Sequence, residues 1–450
     1  MPPTSTELRA AALVPALLLL ALASVWLYSL AGPFQFDDWN VIVEQPAVHS
    51  LAAWWQAMPG MRPLLKLSYA LNWSGPDRAA SFHLVNLLIH ATNVGLVWRL
   101  LQRWPHLSRA AAGWATLIFA LHPVQTEAVT YIAGRSMSLM ALFWLAAALA
   151  WLNGRRGLAA MLFVAALATR ETAWSLPLLL LVWHRVQGFS WAQSGRRLWP
   201  LWLALLIAVT LILALPAYQR TLANALATRD PLANLALQVH VLSYLLVEPL
   251  LLWRNNIDPV LPAAARFDFA WWLGLAVIAA WLGLAGRWLS RRPGLGLALL
   301  WPLLLLLPTN GLIARADPAS ERHLYLALLG PAVLLCHGLA SLLAPRALHR
   351  VGAVLCLALA SATLLRIHDY RSESALWQAT ARRSPDRPRV WNNLGYAYLV
   401  EGRPDLALPA LRRALQLDPD YLRAQLNLER AESALAASGD AAVAAPLKNQ

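Results

Sequence analysis

A succession of apolar runs constrains this chain more than any other feature. A bilayer-spanning helix needs roughly 20 apolar residues at about 1.5 Å of rise each. Runs near or approaching that length fall at 10–31, 83–102, 107–121, 136–152, 157–169, 172–184, 199–216, 269–288, 294–308, 323–343 and 351–366. With 59% hydrophobic and 13% charged residues, the composition fits a polytopic membrane protein and excludes an ordinary soluble enzyme. The expected fold is all-α, with about eleven crossings.

Arginine placement orients those crossings. The net charge of +14 would suggest nucleic acid in a soluble protein. Here most arginines punctuate connections between apolar runs, and no nucleic-acid reader motif appears, so nucleic acid is not an expected partner. Arg99/Arg103/Arg109, Arg155/Arg156, Arg185/Arg196/Arg197, Arg287/Arg291/Arg292 and Arg346/Arg350 mark alternate, cytoplasmic connections under the positive-inside rule. The opposite connections carry Asp37, Asp38, Glu127, Glu171, Asp230, Asp258 and Glu321. The run 232–253 breaks the alternation if it crosses fully, and is read as re-entrant, within an external region 217–268. The first run is read as a retained helix rather than a cleaved signal. Cys336 and Cys356 have no CxxC partner, and neither a disulfide framework nor a metal site is expected.

Within the first external loop, 32–81, Leu51–Trp55 and Arg62–Trp73 read as short interfacial amphipathic helices anchored by Trp54, Trp55 and Trp73. The membrane domain is expected to occupy 1–367. Beyond it the sequence turns polar. Trp391, Leu394, Gly395, Tyr398, Ala407, Leu411, Ala414 and Pro419 match the tetratricopeptide pattern, giving a repeat over 388–421. Pro385 and Trp377 precede Pro419 and Leu411 by one repeat length of about 34 residues, marking 370–387 as half of an earlier repeat. Residues 422–435 supply a closing helix, so the small repeat domain covers 368–435, with a flexible tail at 436–450. An array this short needs a neighbour or partner to cover its faces.

Chemistry concentrates on the external side. Phe34-Gln35-Phe36-Asp37-Asp38-Trp39-Asn40 puts two carboxylates beside a membrane helix, at a free-energy cost. They read either as a solvated, helix-terminating pair or as a general base raised by its aromatic surround. His83, Asn86, His90 and Asn93 form a stripe at i, i+3, i+7 and i+10 that should face the bundle interior and bond between helices. His122-Pro-Val-Gln-Thr-Glu127, Arg135, Arg170-Glu171 and Arg315…Glu321-Arg322-His323 converge externally, against the arginine bias. An anionic ligand would explain them, since a guanidinium fork matches phosphate. Local pairs, Arg170–Glu171 or Arg322–Glu321, would explain them equally.

The ordered motifs FDDWNVIVEQPAVHS, RPLLKLSYALN, FHLVNLLIHATN, HPVQTEAVTYIAGRS, ATRETAWSLP and LLPTNGLIARADPASERHLYLALLG, followed by the repeat, carry a family likeness. The chain resembles the transmembrane and tetratricopeptide-repeat O-mannosyltransferases of the GT-C superfamily, over essentially its whole length. Its repeat array is shorter than in the animal members. The resemblance implies a multi-pass protein of the inner or plasma membrane, with site and repeats extracytoplasmic. It implies an inverting glycosyltransferase moving a mannose-like sugar from a polyprenyl-phosphate donor to a hydroxyl of a protein acceptor. Asp37 or Asp38 would be the base. Arg135, Arg170 and Arg322 would bind the donor phosphate, and His83, His122, Glu127, Glu171 and His323 would shape the site. The sequence shows no cofactor beyond the lipid-linked donor. The expected partners are membrane lipid, that donor and a protein acceptor engaged through the repeats. A catalytically silent scaffold recruiting envelope proteins is the alternative.

Overall fold

A computed structural model describes residues 22 and 24–444, apart from 59, 249, 250, 253, 263–265, 312 and 316. Most of the first apolar run lies outside those residues. The described chain is helical, with no strand. It divides into two compact units: one of the residues up to Asn255 with Leu261–Ile367, the other of Asn256–Val260 with the chain from His368.

In the first unit, two short helices, α1 (Leu51–Gln56) and α2 (Pro63–Asn72), occupy the first long loop where interfacial helices are expected. The bundle follows as α3 (Ala79–Leu101), α4 (Arg109–Leu121), α5 (Arg135–Leu152), α6 (Arg156–Thr169), α7 (Ser175–Val186), α8 (Trp191–Arg197) and α9 (Trp199–Ala214). It continues as α10 (Pro216–Thr228), α11 (Pro231–Val247), α12 (Phe269–Arg291), α13 (Pro293–Leu306), α14 (Leu329–Leu342) and α15 (Pro345–Asp369). Side-chain caps start several of them. Ser108 accepts from the Ala111 amide at 3.2 Å, and Asp268 from the Trp271 amide at 2.9 Å, satisfying donors a first turn leaves open. Proline opens α2, α10, α11 and α13, where its missing N–H costs nothing.

By length and composition, four described helical stretches can each cross a membrane: α3, Ile132–Leu152, α12 and α15. Three bent pairs raise the number to seven: α8 with α9 at 64°, α10 with α11 at 79°, and Glu321–Ala327 with α14 at 50°. The expected eleven is larger. The apolar helices α4, α6 and α13 are only 13, 14 and 14 residues long, short of a span. The segment read as re-entrant, 232–253, overlaps nearly all of α11, whose sharp break from α10 is the geometry of a broken span or a re-entrant loop.

Aromatic packing forms the centre of the bundle. Trp104 meets Trp183 edge-on at 5.6 Å and Trp301 at 5.2 Å, and Trp301 meets Trp144 at 5.7 Å. Such pairs contribute about 0.5–1.5 kcal/mol each beyond their buried area. Small residues let the backbones approach: a Cβ on Gly330 of α14 would fall on the Ala298 carbonyl of α13. The α3 stripe is fully interior. Asn86 Nδ2 donates to the Val129 carbonyl at 3.2 Å, and Asn93 Nδ2 to the Ser138 carbonyl at 2.8 Å. His90 Nδ1 lies 2.7 Å from the Tyr325 hydroxyl. These are the interhelical bonds that the spacing predicts.

The second unit comprises α16 (Glu373–Arg383), α17 (Pro388–Val400), α18 (Pro404–Leu417) and α19 (Leu422–Ala444). Of its consensus positions Leu394, Gly395, Tyr398, Ala407, Leu411 and Ala414 are buried, while Trp391 is half-buried and Pro419 exposed. Gly395 is required by packing, because a Cβ there would run into Leu411. The segment 256–260 is clasped within this unit. Asp258 accepts from Arg389 at 2.7 Å and pairs with Arg387 at 3.2 Å, and Asn256 donates to Ser384 Oγ at 2.8 Å.

Candidate active site

The loops after α4 and α6, the segment before α14, and the chain from Gly32 to α2 meet at one end of the helical unit. Glu127 fastens two of them. Its carboxylate, 1% exposed, accepts from Ser320 Oγ at 2.6 Å and from the Arg322 amide at 3.0 Å, and pairs with the Arg322 guanidinium at 3.2 Å. His122 opens the turn leading to Glu127, its Nδ1 accepting from the Val124 amide at 3.1 Å. Gly134 is obligatory here, because a Cβ would overlap the Glu127 carbonyl. His83, on α3, lies with Nε2 3.0 Å from the Gly32 carbonyl, where it positions the chain just before the acidic motif.

The two acids of that motif diverge. Asp38 is buried at 1% exposure; its Oδ1 accepts from the Ala133 amide at 2.7 Å and its Oδ2 from the Gln35 amide at 3.0 Å. It holds two backbone segments together. Asp37 is half-buried, its amide donates to the Tyr131 hydroxyl at 3.1 Å, and it lies within electrostatic reach of Arg322. Between Gln35 and Asp37, Phe36 has φ +49°, a left-handed conformation an aromatic residue rarely adopts. That backbone strain turns the neighbouring side chains to different faces, and such strain collects at functional sites.

Four arginines, Arg62, Arg170, Arg315 and Arg322, lie within electrostatic reach of one another, and Arg322 is also within reach of Asp37. Arg62 at the start of α2 forms a two-pronged pair with Glu171, Nε to Oε1 at 3.0 Å and Nη2 to Oε2 at 3.0 Å. Tyr218 donates to the same carboxylate at 2.8 Å. Burial would raise the Glu171 carboxyl, but Arg62 outweighs it and holds the group down to about 2. Arg170 is 2% exposed and donates from Nη1 to Ser136 Oγ at 2.7 Å, while its Nε meets no partner among the described residues. Burial, then repulsion from Arg62, Arg315 and Arg322, pushes its pKa well below the ordinary value. Arg315 is lowered to about 10 by burial and then by Arg322 and Arg62, and its Nε is likewise unpartnered among the described residues. His323, 2% exposed, has neither ring nitrogen partnered among the described residues. Buried unsatisfied donors cost about 1–3 kcal/mol each, so an anion accepting from them would be favoured.

Arg135 stands apart from this group. It is fully buried and donates to Asn86 Oδ1 at 2.6 Å, Asn72 Oδ1 at 2.7 Å, and the Phe82 and Ser68 carbonyls at 3.0 and 3.2 Å. Its guanidinium also lies over Tyr69 at 5.0 Å. These contacts make it a strut joining α2, α3 and α5. Arg62, to which the sequence reading gives no ligand role, and Arg315, which it groups with the anion-seeking arginines without naming it a phosphate ligand, take its place in the cluster. Their signal was position: both are arginines that fall outside the basic connections.

An apolar groove of about 550 Å³ runs along α9 and α6, lined from Trp199 to Leu215 and by Val164 and Leu167. Pro63 and Tyr218 line it as well, so one end lies beside the Arg62–Glu171 pair. Among the described residues no three His, Cys, Asp or Glu side chains form a metal-binding group.

The Tetratricopeptide repeat family model matches residues 388–421. Protein O-mannosyl-transferase TMTC3 of Mus musculus is 26% identical over 449 residues, covering 88% of this chain and 48% of the mouse protein. The Homo sapiens TMTC3 protein is 24% identical over 452 residues, with the same two coverages, 88% and 48%. Protein O-mannosyl-transferase Tmtc3 of Drosophila melanogaster is 25% identical over 466 residues, covering 83% and 50%. The chain thus spans about half the length of the curated relatives it matches. No solved structure matches it. With that likeness along most of its length and the repeat in the expected place, the chain is similar to the transmembrane and tetratricopeptide-repeat proteins whose curated members are named protein O-mannosyl-transferases.

Proposed function

We propose that this protein transfers a mannose-like sugar from a polyprenyl-phosphate donor to a hydroxyl of a protein acceptor on the extracytoplasmic side of the membrane. The names of the relatives support the glycosyl transfer. The observation that carries the donor class is the union of an apolar groove with buried, incompletely paired arginines at its end. A long isoprenoid tail suits the groove, and its phosphate suits Arg62, Arg170, Arg315 and Arg322.

In the proposed step the acceptor oxygen attacks the anomeric carbon as the bond from that carbon to the phosphate oxygen breaks. The hydroxyl proton passes to the Asp37 carboxylate, and the electron pair of the broken bond stays on polyprenyl phosphate. The leaving group gains one negative charge, which the arginines are placed to stabilise without reorganisation. Asp38 holds the Asp37 loop against Ala133. The repeat unit recruits the acceptor protein.

Purified protein incubated with a labelled polyprenyl-phosphate mannose and acceptor peptide should release polyprenyl phosphate. Intact donor after long incubation with every candidate acceptor would remove the enzyme reading and leave a scaffold.

A further inference from the structure

The end of the helical unit remote from the arginine cluster holds a second cavity, of about 310 Å³, within the range of small-ligand sites. The α3–α4 connection, the α12–α13 turn and α14 build it. Its floor is fixed. Trp104 Nε1 donates to the Gly294 carbonyl at 3.0 Å, and Gly294 lies so close to the Pro105 carbonyl that a Cβ would overlap it. Arg291, Arg292 and His337 are also among its lining residues. His106 completes the rim with φ +59°, a left-handed conformation that a non-glycine residue holds only when its surroundings impose it.

Among the described residues no carboxylate lines the cavity. None occurs nearby in sequence either: the stretches 99–109, 153–157, 184–199, 287–294 and 343–350 contain many arginines and no Asp or Glu. Arg291 and Arg292, both exposed, thus line a concave, partly apolar space without a carboxylate in its described lining. A membrane supplies a matching ligand, because basic pockets between transmembrane helices accept anionic headgroups.

We infer that this cavity binds the phosphodiester headgroup of an anionic phospholipid. Arg291 and Arg292 hold the phosphate, and Trp104 meets the first carbons of the chain. A zwitterionic headgroup would bring its own cation against the arginines and is disfavoured. The site lies apart from the proposed sugar transfer and needs none of its residues.

Native mass spectrometry of the full chain, released from nanodiscs of mixed phosphatidylglycerol and phosphatidylcholine, tests this. Phosphatidylglycerol should be retained preferentially, and an Arg291→Gln/Arg292→Gln double variant should weaken that retention about tenfold or more. Arg346→Gln/Arg350→Gln removes the same charge from exposed positions at the same end, outside the cavity, and should retain lipid as the parent does. Equal loss in both double variants would reduce the effect to diffuse surface charge and overturn the site. Equal retention of both lipids, or undiminished retention in Arg291→Gln/Arg292→Gln, would overturn it too. Displacement by inorganic phosphate at matched concentration would make it a free-phosphate site and refute the lipid assignment.

Discussion

Replacing each acid of the adjacent pair by asparagine should produce opposite defects. Asp38 places one oxygen 2.7 Å from the Ala133 amide and the other 3.0 Å from the Gln35 amide, at 1% exposure. Asparagine offers one acceptor oxygen and turns an NH₂ toward the second amide, so one buried donor loses its partner. Losing a charge-assisted bond and stranding a donor together cost about 3 kcal/mol. Asp38→Asn should therefore lower the melting temperature of the detergent-solubilised protein by several degrees. Its surviving folded fraction should transfer sugar within a few-fold of the parent rate. Asp37 is half-buried and faces the Arg322 side, so Asp37→Asn should melt as the parent does. It should lose turnover by about 10² or more, the scale of general-base catalysis, with donor binding nearly unchanged. A thermal-shift assay beside transfer from a labelled lipid-linked donor separates the two. An Asp38→Asn protein that melts normally but cannot turn over, beside a fully active Asp37→Asn protein, would reverse the assignment. Wild-type rates in both variants would end the enzyme reading of this motif.

Other perturbations probe the surroundings. Arg170→Ala and Arg315→Ala should each weaken donor binding at least tenfold in a filter or scintillation-proximity assay while expression is unchanged, since each removes a cation with an unpartnered buried donor. Arg135→Met should instead destabilise by several kcal/mol, because it strands the Asn86 and Asn72 side-chain oxygens and two carbonyls at about 1–3 kcal/mol for each that finds no new partner, read as lost thermal stability in detergent. Glu171 titrates near 2 folded against an ordinary 4.5, so its stabilising contribution is complete above 4.5 and is lost as pH falls toward about 2. Acid melts of the parent and Glu171→Gln should converge across that window, and identical curves at neutral pH would contradict it. Gly395→Val should unfold the repeat unit by driving a side chain into Leu411, detected as early proteolysis beyond residue 368.

Features written as local periodicity were legible in the sequence. The α3 stripe repeats at helical spacing, so the burial of His83, Asn86, His90 and Asn93 could be read directly. The repeat positions worked the same way, because tetratricopeptide packing depends on a fixed offset between Gly395 and Leu411. Crossing number was less legible. Hydropathy does not register the bends of 64°, 79° and 50° that divide apolar runs into broken pairs. Pairing was the least legible, because Arg170–Glu171 and Arg322–Glu321 are adjacent and their side chains do not face each other. Each acid reaches a distant cation instead: Glu171 to Arg62, Glu127 to Arg322, and Glu321 to Arg366 at 3.5 Å.

This long-range pairing has a consequence for the site. An adjacent Arg–Glu pair would neutralise Arg170 and leave no demand for an anion. Because Glu171 is claimed by Arg62 and Tyr218, Arg170 keeps a buried Nε without a partner among the described residues and feels three other arginines more strongly than it feels Glu171. The same acids that fasten the loops thus leave the cationic face incompletely compensated. Removing the clamp should therefore weaken the site rather than strengthen it. Glu171→Gln frees Arg62 to swing away from the groove end, so donor affinity should fall although an opposing negative charge has been deleted. A simple charge count predicts the reverse. Measured tightening of donor binding in Glu171→Gln would show that the clamp merely competes with the phosphate, and that Arg62 needs no positioning to bind it.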